Sequence, residues 1–463
     1  MQAPHIKDYI GKRIHMIGIG GSSMSGLAQM LHEKGYKLTG SDNADGYAIK
    51  ALRDLGIPVT IGHKPESVHE ADLVVYTAAI LPDNPERLEI ARLGLPAMER
   101  ATLLGQLMEG YPVAIGICGA HGKTTTTSML SQIMMDCDLD PTIHIGGQLD
   151  YIGGSTRIGK GPAFLAEACE FNASFLQLRP TFAVVLNIDE DHLDFYKDID
   201  DIHNAFRAFL GLLPPDGKAI GWGDDERVKT LLNAIPQETE LYGFEPHNHF
   251  VAADLTYSEI GCAEFDLMHE GKKEGHVKLQ VPGQFNALNA LASLVAAYHL
   301  GADMDRAVAA ISAFKGVHRR FEHTATVDGV KLYHDYGHNP TEMRNAVSVA
   351  KMQPHNRLWA VMQPHTYSRV KALFKDYLTC TELADITLVT DIYAAREKDP
   401  GDIHAAMLVK GMKEKGINAI LTPSFDDTER YLRENWQEGD LVMTMGCGNI
   451  NLLNDQIEAN SKK

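Results

Sequence analysis

The sequence lacks the features that mark membrane-spanning and secreted proteins. No apolar run approaches the roughly 18 residues that a membrane-spanning helix needs, and no basic segment followed by an apolar one begins the chain. The six cysteines are scattered and form no C-x-x-C pair, which is typical of reduced thiols. We therefore expect a cytoplasmic protein with no membrane partner.

Positive charge is also scarce. The chain has 43 Lys and Arg against 61 Asp and Glu, a formal net charge of −18. This excess of acid argues against a nucleic-acid partner, so an anionic ligand would need local basic groups and helix N-termini. Hydrophobic residues make up 44 % of the 463 residues, enough for real cores, and the length suggests about three domains. We expect a monomer or a weak homodimer.

The most informative stretch is VAIGICGAHGKTTTT at residues 113–127. An apolar run predicts a strand that stops at Gly119, and a helix is predicted from Lys123 onward. A strand, a glycine loop and a helix in this order form a phosphate-binding motif. In such a motif backbone N–H groups and the helix N-terminus hold phosphate oxygens, Lys123 reaches the terminal phosphates, and the Thr124 hydroxyl holds Mg²⁺. The residues assigned to ATP on this loop are Gly119, Ala120, His121, Gly122, Lys123, Thr124 and Thr125.

The loop departs from the common P-loop consensus, G-x-x-x-x-G-K-[ST], which would require a glycine at position 117, where this sequence has Ile117. We interpret the shorter G-x-x-G-K-T spacing as a variant P-loop. The alternative is an ordinary strand, turn and helix with an exposed lysine. Four consecutive threonines argue against that alternative, because β-branched residues are poor choices for opening a structural helix.

A second glycine turn occurs near the N-terminus, in RIHMIGIGGSSMSGLA at residues 13–28. Strand and helix patterns alternate through this region, which predicts a parallel, doubly wound sheet. The turn resembles a dinucleotide fingerprint, although Ser23 stands at the third position, and it could serve NAD, a nucleotide-sugar or no ligand. We favour a pyrophosphate-type ligand, since no dehydrogenase catalytic set follows. The residues assigned to it are Gly18, Gly20, Gly21, Ser22, Ser23 and Asp42.

Polar clusters follow two predicted strands of the central region. Glu167 ends one apolar run, and His192 lies in the cluster after the next run. The carboxyl ends of such strands meet beside a P-loop, and Mg²⁺ prefers oxygen ligands shared with phosphates. Glu167 and His192 are therefore candidate metal ligands with Thr124. The alternative for each is solvation or a helix cap.

Two amides stand one turn apart at the start of an apolar helix. Asn286 and Asn289 share a face there, and buried amides need partners. One interpretation is that these amides contact a nucleotide base or ribose. The alternative is that their hydrogen bonds are made locally, as a helix cap. The preceding residues, 236–282, show short alternating strands that we interpret as a β insertion.

The C-terminal third repeats strands that end in polar clusters. Asp335, His338, His365 and Arg369 follow such strands, so they are expected at one edge of one sheet, where they suggest a site. Arg319 and Arg320 lie just before, at an apparent domain boundary.

Together these motifs resemble the Mur ligases of peptidoglycan synthesis over essentially the whole chain. The matching stretches are GIGGSSMSGLA (18–28), GAHGKTTTT (119–127), EACEFNASF (167–175), NIDEDHLD (187–194), PGQFNALNA (282–290), RRF (319–321), DYGHNPTE (335–342) and QPHTYSR (363–369).

The resemblance implies an α/β protein of three domains. Residues 1–110 would form a Rossmann-like domain for the UDP-sugar, residues 111–316 a central P-loop ATPase domain with a mostly parallel sheet, and residues 317–463 a Rossmann-like domain for the amino acid. The residues that the resemblance assigns to ATP are Asn286, Asn289, Arg319, Arg320 and Asp335, and those assigned to Mg²⁺ are Thr124, Glu167 and His192. Those assigned to the amino acid are Tyr336, His365 and Arg369. Those assigned to catalysis are Lys123, His192, His338 and His365.

The implied activity is an ATP-dependent ligation. ATP would phosphorylate the lactyl carboxylate of UDP-N-acetylmuramate, and the amine of L-alanine would attack the acyl phosphate, with His338 or His365 as base. The first glycine turn and the Asp335 motif favour L-alanine. The alternatives are a ligase that recycles a tripeptide onto the same sugar, a non-catalytic nucleotide-sugar-binding protein, and an NAD-dependent enzyme.

Three positions depart from the family pattern. Asn339 stands where a second histidine is usual, Thr366 where arginine is common, and His334 where an acid is common. The loss of the arginine removes a positive charge from the substrate side. Some relatives carry a carbamylated lysine near a second Mg²⁺, but residues 201–213 contain no lysine, so we expect none.

Overall fold

The computed structural model describes residues 4–190, 195–395 and 397–462. Three β-sheets follow one another along the chain, each with helices packed on it. Within the described ranges no helix has both the length and the apolar character needed to cross a membrane. Short 3-10 helices occupy Ile6–Tyr9, Pro65–Val68, Asp150–Ile152 and Phe171–Gln177.

The N-terminal sheet has five parallel strands in the order β3-β2-β1-β4-β5. Strand β1 lies at the centre, where the strand order reverses, so the glycine turn at its carboxyl end faces the crevice in which such sheets bind ligands. The elements are β1 Arg13–Ile17, α1 Ser22–Glu33, β2 Lys37–Asp42, α2 Tyr47–Asp54, β3 Val59–Ile61, β4 Leu73–Tyr76, α3 Pro85–Leu93, β5 Ala97–Glu99 and α4 Arg100–Met108.

The central sheet has ten strands in the order β15-β14-β13-β12-β11-β10-β6-β9-β7-β8. The P-loop strand β6 lies between β10 and β9 and pairs with both in parallel. The elements are β6 Val113–Cys118, α5 Lys123–Asp136, β7 Thr142–Leu149, β8 Gly154–Arg157, β9 Ala163–Glu167, β10 Phe182–Val185, α6 Ile199–Leu210, β11 Lys218–Trp222, α7 Glu226–Asn233, β12 Glu238–Gly243, β13 Phe250–Tyr257, β14 Cys262–His269, β15 Lys272–Pro282, α8 Gln284–His299 and α9 Met304–Ser312.

The predicted β insertion is continuous with this central sheet. Strand β12 pairs with β11 in parallel, and β13, β14 and β15 extend the sheet from it with two antiparallel pairings at the edge. The alternating pattern of residues 236–282 therefore belongs to an edge extension of one large sheet.

The C-terminal sheet has six strands in the order β16-β17-β21-β18-β19-β20, of which the β16–β17 edge pair is antiparallel and the rest are parallel. The elements are β16 Glu322–Val327, β17 Val330–Asp335, α10 Pro340–Met352, β18 Leu358–Met362, α11 Tyr367–Ala372, α12 Phe374–Tyr377, β19 Ile386–Val389, α13 Ala405–Glu414, β20 Ala419–Leu421, α14 Phe425–Asn435, β21 Leu441–Met445 and α15 Asn451–Ser461. The α/β class with three mostly parallel sheets is confirmed, whereas the domain boundaries at 110/111 and 316/317 stay predictions.

Helix α1 of the N-terminal sheet packs on the β7–β8 hairpin of the central sheet. Gly26 makes this close approach possible, since a Cβ atom there would lie 1.9 Å from the Thr156 hydroxyl oxygen. The packing brings the N-terminal glycine turn next to strand β7.

Candidate active site

The P-loop has the backbone that its glycines predict. Strand β6 ends at Cys118, helix α5 begins at Lys123, and Gly122 between them has a φ of 87°. A Cβ atom on Gly122 would lie 2.5 Å from Asn289 Oδ1, so both the backbone conformation and the space require glycine. The Cys118 thiol is buried, donates to Val184 O at 3.4 Å, and has a pKa that burial raises, which makes it a packed thiol and not a nucleophile.

The Lys123 ammonium is held over the loop. Its Nζ atom donates to Gly119 O at 2.5 Å and Ala120 O at 3.0 Å, and it lies 2.9 Å from the Glu170 carboxylate. Glu170 is 2 % exposed and was not assigned from the sequence. The lysine is therefore positioned at the mouth of the loop by a buried ion pair.

Thr124 and Glu167, two of the predicted metal ligands, lie together, whereas His192 lies outside the described residues. Glu167 Oε1 accepts from the Gly146 N–H at 2.8 Å, and Thr124 also hydrogen bonds to this carboxylate. Burial raises the pKa of Glu167, against the opposing effect of Lys123. A partly buried carboxylate beside a P-loop hydroxyl fits a divalent cation, which would offset that desolvation.

His121 joins the P-loop to the C-terminal sheet. Its backbone N–H donates to Asn187 Oδ1 at 2.9 Å, while its ring contacts Asp189 at 3.2 Å and Glu342 at 3.4 Å. Glu342, in the first turn of α10, also lies 3.3 Å from His338 Nδ1. Burial acts to raise the pKa of Glu342, but interaction with His338 and His121 outweighs it and holds the pKa well below its usual range. Glu342 was not assigned a role from the sequence.

A cavity of about 1200 Å³ extends from the P-loop to the C-terminal sheet. The predicted ATP-site residues that line it are His121, Gly122, Thr124, Thr125, Asn286, Asn289, Arg320 and Asp335. Asn286 and Asn289 are also satisfied internally, since Asn286 donates to Pro282 O at 2.7 Å and Asn289 donates to Asn286 Oδ1 at 3.2 Å. A structural role is therefore present, and the nucleotide contact stays a prediction.

The two adjacent arginines are placed differently. Arg320 lines the cavity, whereas the Arg319 guanidinium donates to the carbonyls of Gly446 at 3.3 Å and Gly448 at 3.0 Å. Both guanidiniums lie 4.8 Å from the centre of the Tyr336 ring, which is therefore covered by cations. Arg320 is the better placed of the two to reach a phosphate.

Asp335 holds the turn that carries these arginines. Its two carboxylate oxygens accept the backbone N–H groups of Gly337 at 2.7 Å and Phe321 at 2.8 Å. Burial raises the pKa of this carboxyl, whereas Arg320 and the two N–H groups oppose the rise. Asp335 therefore fixes the end of β17 against residues 319–321.

The predicted amino-acid residues cluster at the carboxyl ends of β17 and β18. The rings of His338 and His365 are 5.8 Å apart, His365 stacks on Tyr393 at 5.7 Å, and Arg369 lies 3.3 Å from His365 Nδ1. Tyr336 lies 5.8 Å from His338. Tyr393 was missed, because it reaches the cluster from the loop after β19.

The structure describes each of the three residues that depart from the family pattern. Asn339 caps α10, since its Oδ1 accepts the Glu342 N–H at 2.9 Å, and Thr366 precedes α11 with a φ of 60°. His334 is fully buried, and its Nε2 accepts from Arg319 Nε at 3.2 Å. Burial beside Arg319 lowers the pKa of His334 to about 3, so a neutral acceptor replaces the acid there.

The N-terminal glycine turn is braced from two sides. The Gly20 N–H donates to Asp42 Oδ2 at 2.8 Å, so this carboxylate fixes the turn itself. On the other side Ser22 Oγ donates to Gly146 O at 3.0 Å, and Ser23 Oγ lies 2.7 Å from His144 Nε2. The turn thus contacts the strand β7 that also supports Glu167.

Two buried histidines should make the protein less stable as the pH falls. Burial beside an arginine lowers the pKa of His144 and of His334 from 6.5 to about 3. The unfolded chain binds these protons and the folded chain does not. The contribution is therefore fully present above pH 6.5 and is lost below it, by up to about 1.4 kcal/mol per pH unit for each histidine. Urea unfolding between about pH 7 and about pH 5 measures this slope.

The variants His144→Asn and His334→Asn should each show a shallower decline in unfolding free energy. The exposed His404 supplies the matched control, since His404→Gln removes a histidine without a buried environment. A slope in both buried-site variants equal to that of the control would contradict the assignment.

Known proteins have a similar architecture and a related sequence. Residues 13–112 match the family described as Mur ligase family, catalytic domain, residues 117–297 match Mur ligase middle domain, and residues 319–448 match Mur ligase, glutamate ligase domain. Among solved structures, a UDP-N-acetylmuramate-alanine ligase of Thermotoga maritima has a TM-score of 0.82 at 25 % identity, covering 98 % of this chain and 100 % of that one. A murein peptide ligase of Psychrobacter arcticus has a TM-score of 0.74 at 23 % identity, covering 97 % and 99 %.

Curated relatives are similar over nearly the full length. A UDP-N-acetylmuramate–L-alanine ligase of Caldanaerobacter subterraneus subsp. tengcongensis is 46 % identical over 452 residues, or 98 % of both chains. One of Acetivibrio thermocellus is 43 % identical over 440 residues, or 95 % of this chain and 94 % of the relative. The resemblance deduced from the motifs is thereby confirmed, and the chain belongs to the Mur ligase family of enzymes.

Proposed function

We propose that the chain is an ATP-dependent ligase that joins L-alanine to the lactyl carboxylate of UDP-N-acetylmuramate in the synthesis of peptidoglycan precursors. The observation that carries the proposal is one cavity lined on one side by the P-loop and on the other by Arg320, Asp335 and Glu342. The relatives of 43–46 % identity that bear this activity in their names support it. We infer a cytoplasmic enzyme with small-molecule partners.

The first step is phosphoryl transfer. A lactyl carboxylate oxygen attacks the γ-phosphorus of ATP, the bond to the β-phosphate oxygen breaks, and ADP leaves. Lys123 at the loop and Arg320 across the cavity neutralise the charge that spreads over the transferred group. Thr124 and Glu167 would hold Mg²⁺, and the ion would supply further neutralisation of the phosphate charge.

The second step is aminolysis. The neutral amine of L-alanine attacks the acyl carbon, the tetrahedral intermediate expels phosphate, and one amine proton passes to a base. We assign that role to His338 over His365, because the Glu342 carboxylate 3.3 Å from its Nδ1 stabilises an imidazolium. His365 Nδ1 instead accepts from the Arg369 guanidinium at 3.3 Å, so this ring nitrogen already has a donor.

The nearest rival is a ligase that attaches a tripeptide to the same sugar, the pairing printed in the name of a solved UDP-N-acetylmuramate:L-alanyl-gamma-D-glutamyl-meso-diaminopimelate ligase. The side chains of His338, His365, Arg369 and Tyr393 converge at the end of β18. Such a closely packed cluster favours one small amino acid, with Arg369 on its carboxylate.

Phosphate release tests the proposal directly. Purified protein is given ATP, Mg²⁺ and UDP-N-acetylmuramate, with L-alanine, glycine, L-serine or the tripeptide as acceptor. We expect release with L-alanine at a kcat/KM at least about 10-fold above that of glycine, since the methyl group adds roughly 1.4 kcal/mol or more of transition-state binding. Release with the tripeptide alone would establish the recycling activity, and no release with any acceptor would leave a binding protein.

A further inference from the structure

The segment between α9 and β16 carries the chain from the central sheet to the C-terminal sheet. Residues 313–318 and 320–322 of this segment line the cavity. The backbone dihedral φ is positive at three of its positions, with values of 107° at Gly316, 63° at Arg319 and 45° at Phe321. The segment belongs to neither a helix nor a strand. Without a regular ladder of backbone hydrogen bonds, its path between the sheets depends on individual anchors.

The His318 ring is such an anchor, and it joins the two sheets. Its Nε2 atom lies 2.7 Å from Asp150 Oδ1, and its Nδ1 atom lies 2.8 Å from Glu322 Oε1. Asp150 begins the short 3-10 helix after β7 of the central sheet, whereas Glu322 is the first residue of β16. The second Glu322 oxygen accepts the Arg319 N–H at 2.6 Å. One imidazole at the cavity wall thus bridges a carboxylate of each sheet.

The bridge requires a protonated ring. A neutral imidazole has a single N–H, so one of the two carboxylates would face a nitrogen lone pair at hydrogen-bond distance, whereas an imidazolium donates from both nitrogens. Asp150 and, after it, Glu322 raise the pKa of His318, and desolvation opposes the rise. The bridge is therefore present below this raised pKa and is lost as the pH rises through it.

The charged groups around the bridging ring are acids. In the part of the chain that the structure describes, Asp150 and Glu322 are the charged side chains that contact it. The neighbouring cations make their contacts elsewhere, since Arg319 donates to two backbone carbonyls and Arg320 lies over the Tyr336 ring. Loss of the proton would therefore leave two carboxylates against a neutral ring.

The bridge lies two residues before Arg320, the arginine that faces the cavity. On the other side of Arg320, the Phe321 N–H donates to Asp335 at 2.8 Å, which fastens that end to β17. The contact of His318 with Asp150 fastens the preceding end to the central sheet, which carries the P-loop. The charge of Arg320 acts on the Glu167 carboxylate beside that loop. The position of Arg320 relative to the phosphate-binding loop thus depends on how the two sheets are held together.

The exposure of the bridge sets the size of its effect. The side chains of His318 and Asp150 are 42 % and 88 % exposed. Exposed ion pairs are weak because solvent and salt screen them. The bridge therefore adds little to the stability of the fold, but it can change the population of one arrangement of the sheets by about 3- to 10-fold.

We propose that His318 is a positioning residue for phosphoryl transfer. As an imidazolium it ties Asp150 on the central sheet to Glu322 on the C-terminal sheet and so holds Arg320 opposite the P-loop, and on losing its proton it releases this tie. The inference rests on the proposed function. It makes the efficiency with which ATP is used depend on one proton outside the reacting groups.

The pH dependence of kcat/KM for ATP tests the proposal. Phosphate release is measured at saturating UDP-N-acetylmuramate and L-alanine for wild type, His318→Gln and the control His404→Gln, between about pH 6 and about pH 9. His404 is exposed, and its side chain makes no cap hydrogen bond at the start of α13. We expect wild type to exceed His318→Gln by about 3- to 10-fold at the acid end and to equal it at the alkaline end, while His404→Gln follows wild type throughout.

Two further variants connect this effect to the bridge. His318→Lys keeps a cation over the whole pH range, so its advantage over His318→Gln should persist at the alkaline end. Asp150→Asn removes the carboxylate of the central sheet and should reproduce the profile of His318→Gln. The double variant Asp150→Asn/His318→Gln should lose no more than either single variant. Should His318→Gln fail to fold, Asp150→Asn carries the same comparison.

Three results would overturn the inference and leave the proposed function intact. They are full activity of His318→Gln at the acid end, a ratio of wild type to His318→Gln that is the same at every pH, as a merely structural side chain would give, and additive losses in the double variant. A wild-type protein that releases no phosphate with any acceptor at any pH would contradict the proposed function, and this inference with it.

Discussion

Lys123→Ala will lower ATP-dependent phosphate release by roughly three orders of magnitude or more. The ammonium is the cation nearest the phosphate-binding turn, held there by two loop carbonyls and Glu170. Without it the charge on the transferred phosphoryl group loses its main protein counterion. The measurement is single-turnover phosphate release at saturating ATP, Mg²⁺, UDP-N-acetylmuramate and L-alanine.

The buried ion pair requires a matched control. Lys123→Ala also takes the ammonium from a carboxylate that is 2 % exposed, which should cost about 3 kcal/mol of unfolding free energy. The double variant Lys123→Ala/Glu170→Gln should recover most of that stability and none of the activity. Activity that returned with stability would show that Lys123 serves the fold and not the reaction.

Glu167→Gln should reduce ligation by roughly 100-fold or more and at the same time stabilise the metal-free protein. Burial raises the pKa of Glu167, so the ionised carboxylate is disfavoured in the folded state. It therefore opposes folding at every pH above its unfolded pKa, and a neutral amide removes that cost. Thermal unfolding at neutral pH, with and without MgCl₂, measures both effects.

The decisive comparison is the response to Mg²⁺. The ion should raise the unfolding temperature of the wild type by binding the folded state, and it should raise that of Glu167→Gln much less. Glu238 provides the control, because it is an exposed carboxylate at the start of β12 of the same sheet, paired with Lys218, whereas Glu167 ends β9. An equal Mg²⁺ response in Glu167→Gln and Glu238→Gln would exclude Glu167 as a ligand.

Local patterns in the sequence were sufficient to predict the three α/β sheets and the P-loop. The glycines before Lys123 and the apolar run of β6 are neighbours in sequence, and the backbone they require is decided within a few residues. The same holds for the glycine turn after β1. Glu167 could be assigned beside Thr124 because parallel strands around a P-loop end at one edge.

The missed residues act across long sequence separations. Glu342 meets His121 from 221 residues away, and Ser23 meets His144 from 121 residues away. No periodicity or spacing encodes such contacts, which depend on how one sheet packs on the next.

Adjacent residues with equal side chains also defeat sequence reasoning. Arg319 and Arg320 were equivalent candidates, yet Arg319 has a φ of 63° and turns back onto the Gly446 and Gly448 carbonyls. Only Arg320 faces the cavity. The prediction for His192 falls outside the described residues and stays a prediction, as do the domain boundaries and the monomeric or weakly dimeric state.

The ring of His121 belongs to two domains at once. It is part of the phosphate loop, and it touches the Glu342 carboxylate that interacts with His338. A ligand on the C-terminal side that shifts Glu342 disturbs its contact with His121, and through His121 it changes the affinity of the phosphate loop for nucleotide by some factor. The nucleotide must then change the affinity for that ligand by the same factor. Any coupling carried by the His121–Glu342 contact is therefore reciprocal, so that nucleotide and the C-terminal ligand change each other's affinity by one and the same factor.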